Sequence, residues 1–169
     1  MMFQNNMGPD MLEFKLLLLV LVANGAPVIA WDIFKERYAL PLDAGLKLAD
    51  GLPLFGSAKT WRGIIASLAV TPVFAQLLGM NASIGFTIAA SAMAGDLISS
   101  FCKRRLGIES SGKAPGLDQI PESLLPLLAV KNQFDLDWET ISLLVAMFFV
   151  LEITISPLLY QLGIRKRPY

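Results

Sequence analysis

Histidine is absent from the 169 residues, and cysteine occurs once, as Cys102. Within one chain these gaps exclude the usual zinc ligand sets, a Ser-His-Asp triad, a Cys-His pair and an internal disulfide. Charge is scarce as well: 17% of residues are charged, and 14 basic side chains balance 14 acidic ones. A neutral chain has no overall attraction for nucleic acid, so no such partner is expected. The opening residues, MMFQNNMGPDMLEFK, carry Asp10 and Glu13 rather than a basic stretch, and are not expected to form a cleaved signal peptide. What the chain does have is apolar sequence, 54% hydrophobic, more than a soluble domain of this length carries.

A membrane-spanning helix needs about 20 mostly apolar residues. Leu12 to Phe34, Gly63 to Met80, Ala82 to Phe101 and Trp138 to Gly163 reach roughly that length, whereas Ile120 to Val130 is short and carries Pro121, Glu122 and Pro126. The basic residues decide its status. Lys and Arg cluster at 35, 37, 47, 59 and 62, again at 103, 104, 105 and 113, and again at 165, 166 and 167. Three basic stretches imply three cytoplasmic segments, and the third is cytoplasmic only if Ile120 to Val130 crosses. The expectation is therefore an all-α, polytopic membrane protein: one domain over residues 1–169, five transmembrane helices and two cytoplasmic loops. The N-terminus would lie outside and the C-terminus inside. A re-entrant fourth segment is the alternative.

Polar residues concentrate in GDLISSFCKRRLGIESSGKAPGLDQIPES, where Asp96, Ser99, Ser100 and Lys103 share helical spacing on one face. Asp118 and Glu122 follow across the start of the fourth helix. Three carboxylates are thus expected to converge at the cytoplasmic interface, and an oxygen-only donor set suits Mg²⁺. Ion-pair trim, with Asp96 on Lys103 or Arg104 and Asp118 as a helix cap, is the competing reading. A fourth helix beginning in a recess would also aim free N–H groups at an anion, unless it is merely a capped short helix. The first loop, DGLPLFGSAKTWRG, places Lys59, Thr60 and Arg62 after a turn shaped by Gly51, Pro53 and Gly56, as a polyphosphate requires, although basic residues before a span are also ordinary topology signals.

In the first span, Asn24-Gly25-Ala26-Pro27 predicts a polar kink, because Pro27 frees a carbonyl near Ala23. That carbonyl and the Asn24 amide serve either a packing hinge or a ligand. Gly85, Ala89, Ala92 and Gly95 predict close helix packing along the third span. Glu152, with no basic neighbour on its own helix, is expected to face the bundle, as a hydrogen-bonding group or part of a proton path.

NGAP, DGLPLFGSAKTWRG, GDLISSFCKRRLG and PGLDQIPES together resemble the archaeal CDP-archaeol synthases over about Asn24 to Tyr169. The PGHGG run of the wider phosphatidate cytidylyltransferases, which the third motif also resembles, is absent. The resemblance implies a Mg²⁺-dependent enzyme of the cell membrane, active on its cytoplasmic side. It would transfer a cytidylyl group from CTP to an isoprenoid glycerol-phosphate lipid, 2,3-di-O-geranylgeranyl-sn-glycerol 1-phosphate, with release of pyrophosphate. By motif position it implies Asp96, Asp118 and Glu122 as metal-binding acids. Lys59, Thr60, Arg62, Lys103 and Arg104 would contact the triphosphate, with Lys103 also among the catalytic residues. Asn24, Gly25 and Pro27 would lie on the cytosine side, and Lys47 and Asp50 stay unplaced. A CTP-dependent polyprenol kinase and a small membrane transporter are the alternative functions.

Overall fold

A computed structural model describes residues 9–163, so the first eight residues and the basic cluster at 165, 166 and 167 lie outside the described part. Five helices follow one another: α1 Pro9–Phe34, α2 Trp61–Leu77, α3 Ala82–Arg105, α4 Gln119–Phe134 and α5 Trp138–Gln161. Among the described residues there are no strands, only the isolated bridges Pro41–Thr60 and Lys47–Pro53. Three helices, α1, α3 and α5, are long and apolar enough to cross a bilayer, and α2 is a shorter apolar helix.

Local chemistry sets the ends. The Thr60 hydroxyl accepts from Gly63 N–H at the start of α2, Asn81 accepts from Ser83 N–H at the start of α3, and Asp137 accepts from Thr140 N–H at the start of α5. Lys103, Arg104 and Arg105 fill the last turn of α3, where cations complement the helix dipole. These bounds lie within a few residues of the expected spans. The exceptions are α4, which runs four residues beyond Val130, and α3, which runs four residues beyond Phe101 and lifts its basic triplet onto a helical face.

The helices pack through the small residues that the third span advertises, all of them buried. A Cβ on Gly85 would stand 2.6 Å from Pro72 Cα of α2, and one on Gly95 would stand 2.2 Å from the Pro121 carbonyl oxygen of α4. Only glycine permits backbones that close. The apolar core occupies the half of the bundle away from the long loops: Leu16, Leu19 and Val20 of α1, Ile84 and Ile88 of α3, Leu127 and Val130 of α4, and Ile141, Leu144 and Phe148 of α5.

At the opposite end, segments 35–60 and 106–118 fold against each other. Ala58 N–H donates to Ser110 Oγ at 3.2 Å, Arg105 Nη1 lies 2.9 Å from Asp50 Oδ2, and Arg105 Nη2 donates to Pro53 O at 2.5 Å. The first loop is organised from within by Asp43, which is buried. One carboxylate oxygen takes Gly45 N–H and the other takes Phe55 and Gly56 N–H, at 2.9 to 3.0 Å. Burial alone would raise its pKa, but the N–H groups of Gly56, Phe55 and Gly45 hold it below the usual aspartate value.

Candidate active site

Between these two loops and the loop-proximal halves of the helices lies a cavity of about 560 Å³. Its walls carry Lys59, Thr60, Arg62, Asp96, Lys103, Arg104, Asp118 and Glu122, together with Asn24 and Pro27. Of the residues singled out in the sequence, Gly25 is not on this wall, and a Cβ there would meet nothing within 4 Å. Its expected place beside the nucleotide base therefore finds no support in this geometry. On a helix, one step from Asn24 rotates the backbone away from the face that lines the cavity.

Two ion pairs dominate the interior. Lys59 Nζ, on the loop before α2, lies 2.6 Å from Asp96 Oδ1 on α3. Lys103 Nζ, on the last turn of α3, lies 2.5 Å from Asp118 Oδ1 and also donates to Gly112 O at 3.2 Å. Asp96 therefore pairs with neither Lys103 nor Arg104, the partners its own helix offered. Desolvation works against the Lys59 ammonium, yet Asp96, joined by the charges of Glu122 and Asp118, holds its pKa above the ordinary lysine value. The three acids thus act on one lysine, but among the described residues they form no cluster of three converging metal ligands. The expected convergence is looser than a three-acid cage, because Asp96 and Asp118 each face an ammonium.

The arginines rest on neutral acceptors. Arg62 Nη1 donates to the carbonyls of Lys35 and Arg37 at 2.8 and 2.5 Å, and Arg104 Nη2 donates to Glu109 O at 2.5 Å. Ser99, expected on the polar face, is buried and bonds back to Gly95 O, so only Asp96, Ser100 and Lys103 of that set reach the cavity.

The start of α4 differs from the expected anion-binding terminus. Asp118 N–H and Ile120 N–H donate to Ala114 O and Gly116 O, and Pro121 has no N–H to offer. Asp118 is no conventional cap either. It makes no side-chain bond into its own helix, and its Oδ2 accepts from Ala114 N–H at 2.9 Å. The full positive charges in the recess are those of Lys and Arg side chains.

Both prolines inside α1 and α4 free a carbonyl four residues earlier, and a side chain from another helix takes each. Ser67 Oγ of α2 donates to Ala23 O at 2.8 Å, and Asn24 Nδ2 donates to Glu122 O at 3.4 Å as well as to Val20 O at 3.0 Å. The carbonyl expected to open near Ala23 is thus closed by packing, and α1 continues as helix through Pro27. The Asn24 amide ties α1 to α4.

Several wall residues carried no sequence expectation: Trp31, Glu36, Phe55, Ser57, Ser110, Ser111, Gly112 and Gln119. A hydroxyl-rich, glycine-ended run separated from the basic triplet by four residues was a signal that could have marked Ser110 to Gly112. Glu152 of α5 also reaches this cavity, which places its expected inward face. Lys47 lines a second cavity of about 420 Å³ between the loops, and Asp50 pairs with Arg105, so neither borders the first.

A family model described as CarS-like, CDP-archaeol synthase, matches residues 10–169. The CDP-archaeol synthase of Aeropyrum pernix is 35% identical over 162 residues, covering 91% of this chain and 89% of that protein. That of Hyperthermus butylicus is 38% identical over 112 residues, an alignment spanning 59% of this chain and 60% of that protein. Among solved structures, one described as an intramembrane enzyme for archaeal membrane lipids biosynthesis superposes with a TM-score of 0.74 at 31% identity. It covers 84% of this chain and 90% of that one.

Proposed function

The chain belongs to the CarS-like family of CDP-archaeol synthases, and on that premise we propose that the 560 Å³ cavity is where it transfers a cytidylyl group from CTP to a lipid phosphate. The acceptor is 2,3-di-O-geranylgeranyl-sn-glycerol 1-phosphate, and the products are CDP-archaeol and pyrophosphate. One observation carries the assignment to this cavity: four cationic and five acidic side chains, from both loops and from α2, α3, α4 and α5, border one space at the loop end of an apolar bundle.

An oxygen of the lipid phosphate attacks the α-phosphorus of CTP, a new P–O bond forms, and the bond to the β-phosphate bridging oxygen breaks with pyrophosphate leaving. The acceptor is itself the nucleophile, so no protein nucleophile is required. Lys59 and Lys103 neutralise and align the phosphates, and Arg62 and Arg104 hold the outer part of the triphosphate. The Thr60 hydroxyl, which accepts from Gly63 N–H, presents its own proton to a phosphate oxygen. Asp96, Asp118 and Glu122 would hold Mg²⁺, which when bound supplies charge neutralisation of the reacting phosphates. Their arrangement fits that ion, because Mg²⁺ typically takes about one or two carboxylates alongside substrate phosphates and water, not an all-protein cage.

The reading places both loops in the cytoplasm, with five crossings, the N-terminus outside and a single domain throughout. Contact between the two loops supports a common side for them. The 16 residues of α4 span about 24 Å, against a hydrocarbon core of about 30 Å, so its first turn begins inside a protein-lined recess. Lipid tails stay in the bilayer while CTP arrives from the loop side.

The test is to incubate purified protein in detergent with radiolabelled CTP, magnesium and candidate lipid phosphates. Labelled CDP-lipid with pyrophosphate is expected; release of CDP would indicate a kinase. Asp118→Asn is expected to abolish turnover while the protein remains folded and membrane-inserted, and unchanged turnover refutes the metal assignment.

A further inference from the structure

The two lysines at the centre of the cavity are already engaged. Lys59 lies 2.6 Å from Asp96, and Lys103 lies 2.5 Å from Asp118. These contacts are only partly solvated: the Lys103 side chain is 9% exposed, and the other three are about a quarter exposed. A polyphosphate arriving alone must draw both ammoniums away from their carboxylates. Two uncompensated carboxylates would then stand beside the phosphates, with Glu122 on the same wall. A divalent cation arriving alone faces the mirror problem and strands two ammoniums. Breaking a partly buried pair without replacing either partner is unfavourable. The arginines impose no such cost, because both rest on neutral backbone carbonyls.

When nucleotide and cation arrive as one complex, both exchanges are compensated together. The ammoniums move to phosphate oxygens, the carboxylates to the cation, and no charge is stranded. We propose that the Lys59–Asp96 and Lys103–Asp118 pairs are exchange partners, which make the cavity selective for a triphosphate already complexed with a divalent cation and against either ion alone. For the identity of the nucleotide this rests on the cytidylyl-transfer reading. It adds a second role for Asp96 and Asp118, which withhold the lysines from metal-free triphosphate.

The experiment uses the full-length protein in detergent and a non-hydrolysable probe, α,β-methylene-CTP, titrated calorimetrically in EDTA and in magnesium. Wild type is expected to bind far more tightly in magnesium. Asp96→Asn and Asp118→Asn are each expected to bind the probe in EDTA about tenfold more tightly than wild type, the scale of one competing charged hydrogen bond. The gain from magnesium should shrink correspondingly. Equal or weaker binding in EDTA by both variants overturns the proposal, since simple metal ligands or structural bridges behave that way. Wild type alone gives an independent readout. Probe and magnesium together should raise the melting temperature by more than the sum of their separate rises, and additive rises overturn the proposal too. Failure of wild type to bind the probe in magnesium removes the site assignment itself, whereas binding in magnesium with unchanged EDTA affinity in the variants removes only the exchange.

Discussion

Two glycine-to-alanine substitutions should have opposite effects. A Cβ on Gly95 would stand 2.2 Å from the Pro121 carbonyl oxygen, 2.5 Å from its carbon and 2.8 Å from Glu122 Cα, all backbone atoms of α4. No rotamer relieves that clash. Restoring a carbon–oxygen contact of roughly 3.3 Å requires α3 and α4 to separate by about 1 Å. Overpacking of this kind costs about 1–3 kcal/mol, which outweighs the gain of about 1 kcal/mol from replacing a helical glycine. The functional loss should be larger, because Asp96 adjoins Gly95 while Asp118 and Glu122 belong to the displaced partner. A misplacement of about 1 Å in a catalytic constellation costs roughly a hundredfold in rate. Gly25→Ala meets nothing within 4 Å and should show only the propensity gain. Thermal melting in detergent and initial rates of CDP-lipid formation on both variants decide the matter. Full turnover and an unchanged melting temperature for Gly95→Ala would refute the packing account, and a collapse of turnover in Gly25→Ala would assign that glycine to the nucleotide site.

Lys59→Ala should mainly weaken CTP binding, raising KM about ten- to a hundredfold through loss of a charge-assisted phosphate contact; an unchanged KM removes loop one from the site. Asn24→Ala should lower stability by about 1 kcal/mol by leaving the Glu122 carbonyl without its donor, with little change in KM for CTP. A selective rise in KM would show that the amide reads the base after all. Asp43 titrates below the usual aspartate range in the folded loop, so the unfolded loop takes up its proton first as pH falls. Its contribution is complete above about pH 4 and is lost as pH drops through the lower folded value. Limited proteolysis within residues 35–60 should accelerate in that acidic window, and Asp43→Ala should show the same acceleration at neutral pH.

Helix order, approximate lengths and the gathering of charge at one end of the bundle follow from local properties of the chain. Hydropathy and capping act over a few residues, and a basic triplet in the last turn of α3 announces itself wherever the helix is placed. Gly85 and Gly95 as close-packing positions were legible for the same reason, since a residue without a side chain has few other uses along an apolar face. Asp43 was not legible, because its spacing to Gly45 marks only a small turn and the N–H groups of Phe55 and Gly56 reach it through the folded loop.

The amino-acid sequence on its own determined which residues could do the chemistry: carboxylates, lysines, arginines and hydroxyls at one end of an apolar helical protein, with no histidine to share the work. Tertiary structure alone decided the partners. Helical spacing offered Asp96 the basic residues of its own helix, but the meeting of loop one with α3 brought Lys59 instead, and the turn into α4 brought Asp118 to Lys103. The same holds for the carbonyls freed by Pro27 and Pro126, whose donors come from Ser67 on α2 and Asn24 on α1. A charge or an orphaned carbonyl needs a partner within a few ångströms, and distance along the chain does not say which distant side chain folding will bring there.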